Sequence, residues 1–223
     1  MKIIGILGLI GSGKDTIGDY LVERHSFCRD SFAGPLKDIV SVIFGWDRNL
    51  LEGKTVESRR WREQPDIWWE HELNWRHHRF STYFPRFTPR VCLQLFGTDI
   101  CRDAFHDDIW ILSLKSRLLK AQQNTVITDC RFPNECDAIC ALGGTILRVH
   151  RGSLPPWVND IRHEIASNPD WFDACMDYGL KHSIHLSEWM SFACKEHVVI
   201  SNNGTLDDLY RSIETTLITA YTR

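Results

Sequence analysis

The chain of 223 residues has no Cys-x-x-Cys pair, no internal repeat, no surplus of basic charge and no apolar run near bilayer length. Each absence excludes something. A membrane span needs roughly 20 consecutive apolar residues, so no membrane association is expected. Acidic residues outnumber basic ones, 29 against 26, so no global field draws the chain to DNA or an anionic surface, and no stable nucleic-acid partner is expected. The eight cysteines are scattered; Cys136 and Cys140, four apart on an expected helix, read as small buried thiols in a reducing compartment rather than as a zinc site. Met1-Lys2-Ile3 leads into a strand rather than a signal peptide, which points to a cytoplasmic protein. A guanine-reading Asn/Thr-Lys-x-Asp and an Asp-x-x-Gly after the second strong strand are also missing, which argues against a GTP-operated switch.

What is present starts at the N-terminus. Ile3 to Leu7 reads as a buried strand, Gly8-Leu-Ile-Gly11-Ser12-Gly13-Lys14 as a glycine-rich loop, and Thr16 to His25 as a helix with Ile17, Tyr20 and Leu21 on one face. Strand, Gly-x4-Gly-Lys, helix is the phosphate-binding loop context. The glycines let backbone N–H groups wrap an anion, the helix N-terminus adds positive potential, and Lys14 reaches the terminal phosphates. The position after the lysine usually holds Ser or Thr for magnesium; here it is Asp15, followed by Thr16. A carboxylate beside a phosphate costs about 4 kcal/mol per charge pair at about 4 Å and an effective dielectric of 20. Asp15 is therefore expected on the metal side, directly or through water, with Thr16 as a second ligand.

Further along, Ser31 to Asp38 reads as a strand end, a turn and a helix with Pro35 in its first turn, running to about Phe44. Residues 46–89, dense in Trp, Arg, His and Glu, fit no single period and read as an excursion from the sheet. Interleaved Trp and Arg could stack single-stranded nucleic acid; a cap whose arginines face a small anionic substrate agrees better with the charge balance. Thr88-Pro89-Arg90 starts a helix with Val91, Leu95 and Leu93 inward, ending near Gly97-Thr98-Asp99, and residues 109–121 form another. Thr125 to Asp129 is a strand closing on a carboxylate, with Arg131 two residues on. A helix to Leu142, a strand over Thr145–Val149, a long stretch 151–188 with little regular pattern, a strand over His197–Ser201, a turn at Asn202-Asn203-Gly204 and a helix capped by Thr205 complete the chain. Helices alternating with short buried strands predict an α/β fold: a three-layer parallel sheet, in one domain over 1–223, with an acceptor-side insertion (46–89) and a lid-like insertion (151–188).

A phosphate loop on one strand and Asp129 at the tip of another suit phosphoryl transfer, which needs cations spread over the transferring oxygens. Candidates for that charge are Arg131, Arg90, Lys37 and the lid residue Arg151. His182, His185 and Glu188 have spacing permissive for a metal, although lid histidines also serve phosphate contacts.

These residues resemble a known family. Gly11 to Thr16, Ala33-Gly34-Pro35-Leu36-Lys37-Asp38, Arg90 with Gln94 and Gly97-Thr98-Asp99, Thr128 to Glu135, Gly143 to Arg148, His185-Leu-Ser187-Glu188 and Ile200 to Gly204 look like bacteriophage deoxynucleoside monophosphate kinase. The resemblance implies a P-loop nucleoside monophosphate kinase-like fold, ATP and Mg2+, and transfer of the γ-phosphate to a deoxynucleoside 5′-monophosphate for DNA precursor synthesis. The compartment would be the host cytoplasm if the protein is phage-encoded, and a homodimer is left open. It implies that Gly11, Ser12, Gly13, Lys14, Asp15 and Thr16 hold ATP, with Asn202 and Gly204 at the adenine. Asp15, Thr16 and Asp129 would arrange the metal. Lys37, Arg90, Gln94, Asp99 and Arg131 would face the acceptor, and Lys14, Asp15, Lys37, Asp129, Arg131 and Arg151 would carry catalysis. Animal-type phosphomevalonate kinase looks similar around Gly-Lys-Asp and Gly-Pro-Leu-Lys, so a kinase of another small phosphorylated acceptor is one alternative. A non-enzymatic protein that binds nucleotide or single-stranded nucleic acid is another.

Overall fold

The computed structural model describes residues 1–182, 184, 186–195 and 198–221. In chain order the elements are β1 (Ile3–Leu7), α1 (Lys14–His25), β2 (Cys28–Asp30), α2 (Gly34–Phe44), α3 (Arg48–Glu52), α4 (Val56–Arg62), α5 (Ile67–Glu72), α6 (Pro89–Leu95), α7 (Ile109–Ala121), β3 (Thr125–Ile127), α8 (Pro133–Ala141), β4 (Thr145–His150), α9 (Trp157–Ser167), α10 (Trp171–His182), α11 (Leu186–Trp189), β5 (Val198–Ser201) and α12 (Leu206–Tyr221). They pack as two compact units, residues 33–113 and the remainder, and the division falls within α7.

The first unit (1–32 and 114–223) is built on an all-parallel sheet of order β2-β3-β1-β4-β5. β1 is buried along its whole length, as a central parallel strand covered on both faces must be. Alternation sends Ile4 and Ile6 toward α1 and α12, where they meet Ile17, Leu21, Leu209 and Ile213. Gly5 faces the other way, and a Cβ there would overlap Ile139 of α8 and Ile146, so this glycine lets α8 lie close against the sheet. The expected three-layer architecture results. Its strands all point one way, so the segments after β1, β3 and β4 leave from the same sheet edge, where parallel α/β folds bind ligands.

One expectation needs correction in this unit, and another falls partly outside the described residues. Residues 151–188 are largely helical rather than irregular: α9 and α10 pack around Ile161, Cys175 and Trp189, a small core of their own. The last strand is described from Val198; His197 lies outside the described residues.

The second unit (33–113) is a set of short helices around an aromatic core of Trp46, Trp75, Phe87 and Trp110, with Phe44, Trp61 and Trp69 partly buried against it. Side-chain oxygens of Asp47, Thr55, Asp66 and Thr88 cap α3, α4, α5 and α6, which starts four helices within about forty residues. The indole N–H groups are satisfied inside the unit: Trp46 donates to Asp66 Oδ2 (2.8 Å), Trp69 to the Phe44 carbonyl (3.1 Å), Trp75 to that of Phe84 (2.9 Å) and Trp110 to that of Gly97 (3.0 Å). Most indoles of the Trp/Arg-dense stretch thus pack into a core, while Trp68 is 61% exposed. The helix from Pro89 does not end near Gly97 but continues as a wider π-helical stretch over Phe96–Asp103. Its buried residues are Pro89, Cys92 and Leu95; Val91 and Leu93 are only partly buried against the core.

Candidate active site

The loop after β1 has the shape of an anion cradle. Gly13 takes a left-handed φ of 106° immediately before α1, which a side chain would strain, and a Cβ there would also overlap the Asn202 amide. Asn202, just past β5, donates from Nδ2 to the Ser12 carbonyl at 2.9 Å and from its backbone N–H to the His150 carbonyl at 2.8 Å, so it ties the loop to two strand ends. The Ser12 hydroxyl is buried with no hydrogen-bond partner among the described residues, as expected of a group placed for a ligand oxygen. Lys14 Nζ donates back to the carbonyls of Gly8 (2.6 Å) and Leu9 (2.9 Å). Burial first, then the charge of Arg131, lowers the pKa of this ammonium, with Asp15 and Glu188 opposing. The negative charge of a phosphate at this point would oppose both causes. The cleft beside it is lined by Gly8, Ile10, Lys14, Cys130, Arg131, Glu188 and Ser191.

Asp15 and Thr16 occupy the first turn of α1, with Gly11 exposed at the loop tip. The Asp15 carboxylate accepts from Thr128 Oγ1 at 3.3 Å and lies 3.6 Å from Arg29 Nη2. Asp129, beyond the tip of β3, accepts from the Phe32 N–H at 3.1 Å, which joins the ends of β2 and β3. Arg131 has a half-exposed side chain whose Nη1 lies 3.9 Å from Glu188 Oε1. Its backbone is fixed by Glu135 Oε2, which accepts from the N–H groups of Arg131 (2.8 Å) and Phe132 (3.1 Å). This geometry brings Gly11, Ser12, Gly13, Lys14, Asp15, Thr16, Asp129, Arg131 and Asn202 to one edge of the sheet. Gly204 sits in the turn where Thr205 and Asp208 cap α12. Arg151 is exposed just past β4. His185 lies outside the described residues, and the His182 ring packs on Tyr178 at 4.3 Å.

In the second unit, Lys37 Nζ is held by Glu52 Oε2 at 2.7 Å, and Arg48 bonds the other oxygen of Glu52 as well as Asp38. Burial works to raise the Glu52 pKa, but Lys37 and Arg48 outweigh it and leave the carboxyl below its ordinary value. Arg90 Nε pairs with Glu63 at 3.2 Å on the surface. Gln94 is partly buried in α6, and Asp99 lies in the π-helical stretch that follows.

Sequence reasoning gave no role to Arg29, Thr128, Glu52 or Glu135. Glu135 carried a local signal, three residues past Phe132 at the start of a helix. The partners of Arg29 and Glu52 are far from them along the chain, and no local pattern marks them.

A glycine loop between β1 and α1, on a five-stranded parallel sheet with Asp129 just beyond the tip of β3, defines a P-loop protein of the nucleoside monophosphate kinase-like fold. Relatives by sequence narrow the class. A protein of Acanthamoeba polyphaga mimivirus, provisionally named a deoxynucleotide monophosphate kinase, is 32% identical over 168 residues, covering 69% of this chain and 76% of that one. The deoxynucleoside-5′-monophosphate kinase of Escherichia phage T5 is 30% identical over 174 residues, 60% of this chain and 69% of the relative. The deoxynucleotide monophosphate kinase of Enterobacteria phage T4 is 22% identical over 97% of this chain and 99% of its own. The chain belongs to the deoxynucleoside monophosphate kinase family. No family model matches it. Shikimate kinase from Aquifex aeolicus aligns over 98% of this chain and 97% of its own, at 12% identity and a TM-score of 0.44, a likeness too weak to add to the assignment.

Proposed function

We propose that the protein transfers the γ-phosphoryl group of ATP to a deoxynucleoside 5′-monophosphate, giving ADP and the deoxynucleoside diphosphate. The observation that carries this reading is the phosphate loop itself, with a partly buried ammonium and an unpartnered buried hydroxyl, in a chain of this family. The loop N–H groups, Ser12 and Lys14 hold the donor phosphates, and Asn202 keeps the loop in shape. An acceptor phosphate oxygen forms the new bond to Pγ as the bond from Pγ to the β–γ bridging oxygen breaks, and the electron pair leaves on ADP. No strong base is needed, because the attacking oxygen is already anionic. Lys14 and Arg131 meet the charge that accumulates on the transferring oxygens. Lys37, Arg90, Gln94 and Asp99 act on the acceptor nucleotide, which requires Lys37 and Arg90 to exchange Glu52 and Glu63 for its phosphate. Arg151 and the helices α9 and α10 act as the lid that excludes water.

The donor set at the loop, the Asp15 and Asp129 carboxylates and the Thr16 hydroxyl, is all hard oxygen and suits Mg2+. Asp15, Thr16 and Asp129 would hold such an ion beside the nucleotide phosphates; among the described residues no group of three or more His, Cys, Asp or Glu could hold one without them. Bound there, it would neutralise phosphate charge.

Among the described residues no helix is long and apolar enough to cross a membrane. The reading is tested by supplying ATP and Mg2+ with each of the four common deoxynucleoside monophosphates, and in parallel with mevalonate phosphate, and separating the products. Diphosphate formed from at least one nucleotide supports it. Phosphorylation of mevalonate phosphate alone overturns it.

A further inference from the structure

Asp15 brings a negative charge to the turn of helix that would receive a polyphosphate, and the residue that answers it comes from another strand. Arg29, on β2, donates from Nη2 to the Asp15 backbone carbonyl at 2.9 Å and places that nitrogen 3.6 Å from the carboxylate. Its Nη1 lies 3.1 Å from Asp19 Oδ1, one helical turn further on. Thr128 Oγ1 donates to the same Asp15 oxygen at 3.3 Å. The guanidinium can lie on α1 only because residue 18 has no side chain: a Cβ there would overlap both Arg29 and Thr128. Arg29 Nε is buried without a hydrogen-bond partner among the described residues, so an unsatisfied donor accompanies the placement of the charged head. A point-charge ammonium could not meet the carbonyl and both carboxylates at once as the planar fork does.

We propose that Arg29 is a positioning residue acting through Asp15: it neutralises and fixes this carboxylate so that the glycine loop accepts a polyphosphate, and Gly18 makes the room. The inference rests on the kinase reading above and goes beyond it by giving the Gly-Lys-Asp variant of the loop a counter-ion, shared with Asp19. The Asp15 side chain is 65% exposed, so the pair counts for little in the free protein. Bound phosphates displace the screening water, and an unanswered carboxylate then repels them at close range. The effect is therefore expected in nucleotide affinity rather than in folding.

The test is a double-mutant cycle read by calorimetric binding of a non-hydrolysable ATP analogue with and without Mg2+, using wild type, Arg29→Gln, Asp15→Asn and the double variant; the metal-free arm keeps the proposed donor role of Asp15 out of the cycle. Arg29→Gln is expected to weaken binding about tenfold, the coupling typical of one close charged pair. In the Asp15→Asn background the same change is expected to cost under about threefold, near the limit of additivity. The KM for the acceptor is expected to stay at its wild-type value. Should Arg29→Gln fail to fold, Arg29→Lys keeps the charge while losing the fork, and the same non-additivity with Asp15→Asn is expected at smaller size. Equal losses in both backgrounds would overturn the inference alone. Wild-type protein that binds no analogue would overturn the kinase reading and this inference with it.

Discussion

The phosphate loop and the second unit treat positive charge in opposite ways. At the loop, Lys14 rests on two backbone carbonyls and stays partly buried beside another cation, Arg131, so its charge is only partly answered. In the second unit, Lys37 and Arg90 are already matched with carboxylates, Glu52 and Glu63. On the proposed reading Lys14 gives up two neutral carbonyls to meet the donor, whereas Lys37 and Arg90 must give up charged carboxylates to meet the acceptor. Preformed charge favours affinity; exchangeable charge lets binding be conditional on the right ligand.

The largest test of that contrast is Lys14→Ala. Loss of a preorganised cation at the transferring oxygens is expected to lower kcat by about 10²–10³-fold with the circular dichroism unchanged. Equal activity in the variant would mean that the loop does not hold the donor. Next in size is Trp75→Ala, which empties the centre of the aromatic core and removes the bond to the Phe84 carbonyl. A loss of about 3–5 kcal/mol is expected in the stability of this unit, followed by denaturant unfolding.

That pair of variants also marks where sequence reading succeeds and where it stops. β1, the glycine loop and α1 are legible because glycine, lysine and an apolar run act on their immediate neighbours. The apolar strand before Asp129 is legible, but it ends at Ile127, two residues short of the expected carboxylate end. The core around Trp75 is not, because its contacts join helices spread over some sixty residues and no single period runs through them. For α9 the local signal was present, Pro155-Pro156 before Trp157 and then Ile161 and Ile165 four apart, but surrounding charge and the Trp-rich composition hid it. Arg29 was illegible for a different reason: its role depends on Asp15 and on the missing side chain of Gly18, two positions on another element.

A third prediction concerns the matched charges. Glu52 is held below the ordinary carboxyl pKa in the folded state, so its contribution to stability is full above the unfolded value and is lost as pH falls through the folded one. Glu52→Gln is expected to cost about 2 kcal/mol near neutral pH, with the gap to wild type closing below about pH 4. A gap that persists unchanged in acid would show that packing, not charge, holds Lys37.

The smallest effect is expected at the loop. Burial and then Arg131 lower the Lys14 pKa, so ATP binding should weaken as pH rises sooner than an ordinary lysine would dictate. Arg131→Gln removes the second cause and should move that weakening to higher pH, as seen in KM for ATP measured across the alkaline range. No displacement would mean that the two cations do not sense one another.

The contrast between the two regions is tested most directly by amide hydrogen exchange with one ligand at a time. ATP with Mg2+ is expected to protect residues 8–16, and a deoxynucleoside monophosphate alone is expected to protect segments around Lys37 and Arg90 while leaving the loop unchanged. ATP that leaves residues 8–16 unprotected, while the protein still turns over, would contradict the account.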